Sequence, residues 1–194
     1  MLAERDEYLS RGVHIGMRTK SKDMGDFVFH VKKSKLAVID VEKTDQRLEI
    51  AAKFLANYEP EEIVAVSRKE NGIKPILKMQ ESCGIKALPG RFLPGMFTNP
   101  NSKEYTEPKI IIITDPSEDK QAVKEALAAK LPIIAICDTG NFTDNIDFII
   151  PANNKGKKSL GLMYYLLTKN YMINKGLIKK ETDFNYSIED FTTE

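Results

Sequence analysis

The chain has no tryptophan, two cysteines and two histidines among 194 residues, and a formal net charge of only +1. Each scarcity removes a class of function. Cys83 and Cys137 sit in apolar segments far apart in sequence, so neither a disulfide framework nor a paired metal ligand is suggested, and both read as core thiols. His14 and His30 stand without a partner nucleophile, which argues against a hydrolytic triad. No stretch approaches the roughly 18 apolar residues of a membrane span, and the start, with Glu4, Arg5, Asp6 and Glu7, has no signal-peptide apolar segment. The chain is therefore expected to stay inside the cell. The glycine spacing of a dinucleotide fold is missing. So is a phosphate-binding loop: in Gly156, Lys157, Lys158, Ser159 an extra lysine interrupts the required order, and Pro151 stands where the leading glycine belongs. There is no internal repeat and no Gly/Ser/Pro linker, so one hydrophobic core is expected. A composition of 42% hydrophobic and 29% charged residues excludes disorder.

What is present is charge, unevenly placed. Residues 11–35 hold seven Lys or Arg (Arg11, Arg18, Lys20, Lys22, Lys32, Lys33, Lys35) against Asp23 and Asp26. Residues 153–180 hold seven lysines and no acid, while the last fourteen residues hold five acids and no base. Two acid-poor segments in an otherwise acidic chain point to a polyanionic partner, because each phosphate met by Lys or Arg releases condensed counterions whatever the base sequence.

The hydrophobic pattern alternates strand and helix. After a short helix or arm, Phe27, Phe29 and Val31 on one face, a turn at Lys32, Lys33 and Ser34, and an apolar Leu36 to Val41 predict a hairpin. Leu48, Ala51, Ala52 and Leu55 then mark a helix with Asp40 or Thr44 as its cap. Strands are expected at Ile63–Val66, Lys86–Leu88, Ile110–Thr114, Ile133–Cys137 and Phe148–Ile150. A helix around Ile73, Ile76 and Leu77 stops at Gly84, with Pro75 placed near its first turn. Asp115 and Pro116 are expected to start a further helix with Glu118 completing a cap and Ala122, Val123, Ala126 and Leu127 as its apolar stripe. The last helix runs from about Lys158 to Gly176. This βαβα order predicts an α/β fold: a doubly wound, mainly parallel sheet with helices on both faces, preceded by an N-terminal arm and hairpin. Residues 1–176 read as one domain, with the basic arm and hairpin at 11–35, and 177–194 as an acidic tail that is either mobile or docks on a partner.

In such a sheet, ligands bind outside the carboxyl ends of the strands. The loop Asn153 to Ser159 places two amides, three lysines, a glycine and a hydroxyl where the last helix begins, a pattern suited to a phosphate backbone. The loop Gly90 to Pro100 carries Arg91 with Phe92 and Phe97 on a Gly/Pro scaffold, a combination that can grip phosphates and stack unpaired bases or simply pack the loop. The competing enzyme reading gathers Asp40, Asp115 and Asp138 at the strand ends to hold magnesium for phosphoryl transfer. A third reading is a protein-interaction module that works through the acidic tail.

A specific resemblance accompanies these features. His14, Ile15, Gly16; Lys43, Thr44, Asp45; Ala51 to Phe54; Ser67, Arg68; the Gly90 to Pro100 loop; Thr114 to Pro116; Asp119 to Ala122; Cys137 to Thr139; Ile150, Pro151; and Asn153 to Gly156 follow in order along nearly the whole chain. In these the sequence resembles the small-subunit ribosomal protein two family, in its archaeal and eukaryotic form related to the laminin-receptor precursor. That resemblance implies a flavodoxin-like fold and a cytoplasmic, structural role on the small ribosomal subunit, supporting assembly and translation. It implies small-subunit rRNA and neighbouring ribosomal proteins as partners. It implies no enzymatic activity, cofactor, metal, membrane contact, small-molecule substrate or homo-oligomer. The expected RNA-binding residues are Arg11, His14, Arg18, Lys20, Lys22, Arg68, Arg91, Phe92, Asn99, Asn153, Asn154, Lys155, Lys157 and Lys158. The sequence departs from the family at Met96, where threonine is usual, and at Gly140, where an acid is common. The coiled-coil insertion of the bacterial form is absent between the helix ending near Tyr58 and the strand at Ile63, and the long eukaryotic C-terminal extension is expected to be absent.

Overall fold

Four consecutive isoleucines make the centre of the molecule. The computed structural model describes residues 1–179 and 181–193. Ile110–Ile113 forms β5, the middle of a five-stranded, wholly parallel sheet. Its partners are β3 (Ile63–Ser67), β4 (Lys86–Pro89), β6 (Ile133–Cys137) and β7 (Phe148–Pro151), in the order β4-β3-β5-β6-β7. Counted within the sheet this is 2-1-3-4-5, the flavodoxin-like order, whose direction of winding reverses between β3 and β5. Every residue of β3, β5 and β6 is buried, as expected for strands covered on both faces.

Alternate side chains feed two cores. Ile63, Ala65, Ile110, Ile112, Ile134 and Ile136 face one layer, where they meet α2 (Val41–Leu55), α3 (Glu70–Cys83) and α5 (Lys157–Lys175). Val64, Val66, Ile111, Ile113, Ile133 and Ala135 face the other, closed by α4 (Lys120–Ala128), by Met24 and Phe27, and by the 90–108 loop. Helices therefore lie on both faces, three against one. The short α1 (Arg5–Ser10) is fixed by Tyr8, fully buried, whose hydroxyl donates to Asp45 at 2.8 Å. No helix among the described residues is long and apolar enough to cross a membrane.

The hairpin is present as β1 (Val28–Val31) paired antiparallel to β2 (Ala37–Ile39), with Asp40 capping α2 through the Glu42 N–H. Its predicted apolar face is not buried: Phe27 is in the core, but Phe29 is 65% and Val31 52% exposed. Alternation reports a face, and none of the described residues covers this one.

Two helix starts differ from expectation. Pro75 lies inside α3, at its sixth residue, where it cannot donate to the carbonyl of Asn71. That carbonyl accepts instead from the Thr193 hydroxyl at 3.3 Å. The helix expected at Asp115 begins at Lys120. Residues 115–119 form a hydrogen-bonded turn in which the Asp115 carboxylate accepts from Ser117 N–H, and the buried stripe of α4 is Ala122, Glu125 and Ala126. Leu127 is largely exposed, so it is not part of that stripe.

The acidic C-terminal segment packs on the sheet's three-helix side. Phe184 and Phe191 are buried in that core and stack edge-on with Tyr165 at 5.4 and 5.9 Å between ring centroids. A Cβ on Gly161 would come within 2.5 Å of Thr192, so the glycine in α5 is what lets the segment lie so close.

Candidate nucleic-acid interface

The carboxyl ends of the five strands form one edge, and the N-terminal arm lies across it. Gly16 N–H donates to Ala37, Met17 N–H to the Thr139 hydroxyl at 2.8 Å, and Ser21 N–H to the Thr139 carbonyl at 2.9 Å. At the end of β7, Asn153 N–H donates to Val13 and its side-chain amide to Gly12, both at 3.0 Å. Lys155 Nζ then reaches Met17 Sδ at 3.2 Å. Two basic segments more than a hundred residues apart in sequence are thereby joined. The join depends on small residues. A Cβ at Gly16 would lie 2.6 Å from Thr139 and 2.9 Å from the Ala37 carbonyl, and one at Gly140 would meet Thr19 at 2.7 Å.

Along this edge the exposed cations follow one another. Arg68 follows β3, Arg91 follows β4, Arg18 and Lys20 flank Thr19 above the end of β6, and Lys155, Lys157 and Lys158 lie between β7 and α5. Lys22 continues the arm. Among the described residues, Arg18, Lys20, Lys22, Arg68, Arg91 and Lys158 have no ion-pair partner within 4 Å.

Other expected contact residues have a different place. Phe92 is buried, edge-on to Phe97 at 4.9 Å, so it anchors its loop rather than stacking a base. Asn154 is 0% exposed and donates to the Ile136 carbonyl and Asn141, both at 3.0 Å, so it supports the loop from within rather than facing a ligand. Asn153, half-buried, has both ends of its amide engaged, with Oδ1 accepting from Lys155 and Gly156 N–H. The exposed Asn99 turns its oxygen to Asn101 N–H. Arg11 is paired with Glu189 at 2.9 Å, which ties the arm to the acidic segment. His14 is half-buried with Nδ1 lacking a hydrogen-bond partner, and burial, then Lys32, hold its pKa below the ordinary histidine value. The seven lysines of 153–180 also divide: Lys175 is one helix length, about 27 Å, from Lys157 and pairs with Glu59 at 2.9 Å. Lys180 lies outside the described residues.

The floor of this edge is a polar network that sequence reasoning only partly anticipated. Asp115 accepts from Lys69 Nζ at 2.7 Å and Asn141 Nδ2 at 2.9 Å. Asp138 accepts from Thr139 N–H at 2.6 Å; burial raises its pKa, and the Thr139 N–H and Lys155 partly restrain the rise. Asp119 accepts from Arg68 N–H at 2.8 Å and Asp115 N–H at 3.3 Å, and burial pushes its carboxyl up to about 7. Asp40 follows β2 of the hairpin and caps α2, so it does not end a strand of the central sheet as expected. No group of three or more His, Cys, Asp or Glu placed to hold a metal occurs among the described residues.

Glu125 was missed entirely. Buried on α4, it accepts from Gly95 N–H at 2.6 Å, Phe97 N–H at 3.1 Å, Thr98 and Gln121. Burial pushes its pKa up, but these donors outweigh it and hold the carboxyl below its ordinary value. It thus organises the loop that presents Arg91. An acid three residues after Ala122, on the buried side of a helix, was the available signal.

The chain is similar to known proteins over nearly its whole length. The family model described as "Ribosomal protein S2" matches residues 8–107 and 101–173. The chain is 49% identical over 191 residues to "Small ribosomal subunit protein uS2" of Methanococcus maripaludis, covering 98% of this chain and 86% of that one. It is 46% and 45% identical, each over 191 residues, to the proteins of the same name from Picrophilus torridus and Thermoplasma acidophilum, covering 98% of this chain and 96% of each.

Proposed function

This chain belongs to the ribosomal protein S2 family, and from that membership we propose that it is a structural constituent of the small ribosomal subunit, docked on small-subunit rRNA through the carboxyl edge of its sheet. The family is structural rather than enzymatic, and its place is the cytoplasm, on the ribosome. One observation carries the choice of edge: the arm and the 153–159 loop, separate in sequence, are hydrogen-bonded to one another there. Arg18, Lys20, Lys22, Arg68, Arg91, Lys155, Lys157 and Lys158 meet phosphates, which supplies affinity and register without base specificity. The half-buried His14 lies within the same arm, and Asn99 marks the far side of the Arg91 loop. Phe92, Asn153 and Asn154 hold these groups in position. Phosphate contacts of this kind need the cations fixed in advance, and the buried network beneath them does that.

In this reading the protein enters the subunit as a single copy and touches neighbouring ribosomal proteins through surfaces outside the cationic edge, the exposed Phe29 and Val31 face among them. Residues 1–176 act as one RNA-binding body, with 177–194 as its acidic strap. Sedimentation of tagged protein with small subunits tests the proposal. Wild type co-sediments at moderate salt, and a Lys155→Gln/Lys157→Gln/Lys158→Gln protein is lost from the subunit fraction while retaining its melting temperature. Equal retention of both would remove the docking edge from the account.

A further inference from the structure

The reversal point of the sheet, between β3 and β5, holds a cleft lined in part by two of the docking residues, Arg68 and Arg91. It has a volume of about 420 Å³ and is bounded by Arg68 after β3, Arg91 after β4, and Lys120 and Lys124 on α4. Clefts of this size commonly take small ligands or parts of larger ones, and in doubly wound sheets the reversal point is where ligands bind. Lys120 and Lys124 are exposed, one helical turn apart, and look from the sequence like an ordinary solvated helix face. The fold turns them toward the same space as the two arginines.

None of the four cations has an ion-pair partner within 4 Å among the described residues. Asp115 is committed to Lys69 and Asp119 is buried beneath Arg68 N–H, so the four cations share the cleft with one exposed carboxylate, Glu118, and outnumber it. Four like charges around one cleft repel one another unless an anion lies between them. Donors complete the site: Ser117 Oγ accepts from Asn141 Nδ2 at 2.7 Å, which leaves its own hydroxyl proton for a ligand. The site is also held rigidly. Arg68 is anchored through its backbone to Asp119, and the Arg91 loop through Glu125 to the same helix that carries Lys120 and Lys124.

We propose that this cleft extends the docking edge into a seat for an RNA segment, gripping one or two successive phosphodiesters between Arg68, Arg91, Lys120 and Lys124. The proposal rests on the RNA-docking reading above and adds Lys120, Lys124 and Ser117 to it. Two arginines can each take a phosphate bidentately, while the lysines act as point charges, so the seat fixes register more firmly than the lysine loop does.

The test compares binding of a small-subunit rRNA transcript by three proteins: wild type, Lys120→Gln/Lys124→Gln, and Lys155→Gln/Lys157→Gln/Lys158→Gln, across a range of salt. If the cleft seats phosphates, Lys120→Gln/Lys124→Gln lowers affinity about ten-fold at 0.1 M salt and makes the slope of log affinity against log salt shallower by about 1.5. The melting temperature should stay within error, and Lys120→Arg/Lys124→Arg should restore affinity. Unchanged affinity and slope in Lys120→Gln/Lys124→Gln, with a clear loss in the Lys155 triple variant, would overturn the cleft and leave the docking edge standing. No loss in either variant would overturn both. A competition arm separates sources of phosphate: adenosine monophosphate or inorganic phosphate at micromolar concentration should not displace the transcript. Displacement that disappears in Lys120→Gln/Lys124→Gln would show a small-metabolite site instead and contradict the proposal.

Discussion

The two edges of the central sheet differ in how their charges are spent. At the amino edge two cations are paired, Lys175 with Glu59 at 2.9 Å and Lys109 with Glu62 at 2.5 Å, while Lys86 and Lys130 have no ion-pair partner among the described residues. At the carboxyl edge, Lys69 is paired with Asp115, but Arg18, Lys20, Lys22, Arg68, Arg91, Lys120, Lys124 and Lys158 have no such partner among the described residues. A net charge of +1 conceals this difference: unpaired cations occur at both ends of the sheet among the described residues but gather at the carboxyl edge. The lesson is that a lysine count along the chain identifies the class of partner, whereas only the fold shows which lysines are available to it.

Breaking the difference at the carboxyl edge should have the largest effect. Lys155→Gln/Lys157→Gln/Lys158→Gln is expected to cost about a hundred-fold in rRNA affinity at 0.1 M salt with little change in thermal stability; filter binding and a melting curve on the same samples check this. A similar loss of stability would mean that the lysines hold the fold. Next comes the arm. Gly16→Val forces a side chain into Thr139 and the Ala37 carbonyl, so denaturant titration should show a destabilisation of about 1–3 kcal/mol, accompanied by weaker RNA binding as the arm lifts.

A smaller effect is tied to pH. The Asp119 carboxyl titrates at about 7 in the folded protein, against an ordinary value near 3.8, with burial as the main cause and Asp115 and Glu118 adding to it. Between these values the folded state holds a proton that the unfolded state has released, so this group's contribution to stability is present at low pH and is lost as pH rises toward and through 7. Asp119→Asn should therefore flatten the fall in melting temperature between pH 5 and pH 8; an unchanged slope would show that Asp119 is ionised throughout. The smallest effect belongs to the amino edge. Lys109→Gln/Lys175→Gln removes two ion pairs, in each of which one partner, Lys109 or Glu59, is largely exposed, and should barely move the melting temperature while leaving rRNA affinity unchanged.

How far the sequence foretold this molecule depends on the range of the interactions. The strands were legible because β-branched runs such as Ile110–Ile113 fit only a sheet covered twice, and their order with the helices implied parallel pairing. The start of α4 was misplaced because Asp115, Pro116 and Glu118 imitate a local cap, whereas Asp115 and Asp119 are engaged by Lys69, Arg68 and Asn141 from distant segments. Asn154 and Phe92 looked like contact residues from their neighbours, yet the fold turns both inward. The tail could not be placed from composition, since its five acids conceal Phe184 and Phe191, which hold it down. Lys120 and Lys124 carried no signal beyond helical spacing; the sheet's reversal point gives them one.

Salt dependence of binding to a small-subunit rRNA transcript tests the cationic edge most directly. If about six phosphates are neutralised, log affinity should fall against log salt with a slope of about −4 to −5. A slope near zero in the wild-type protein would contradict it.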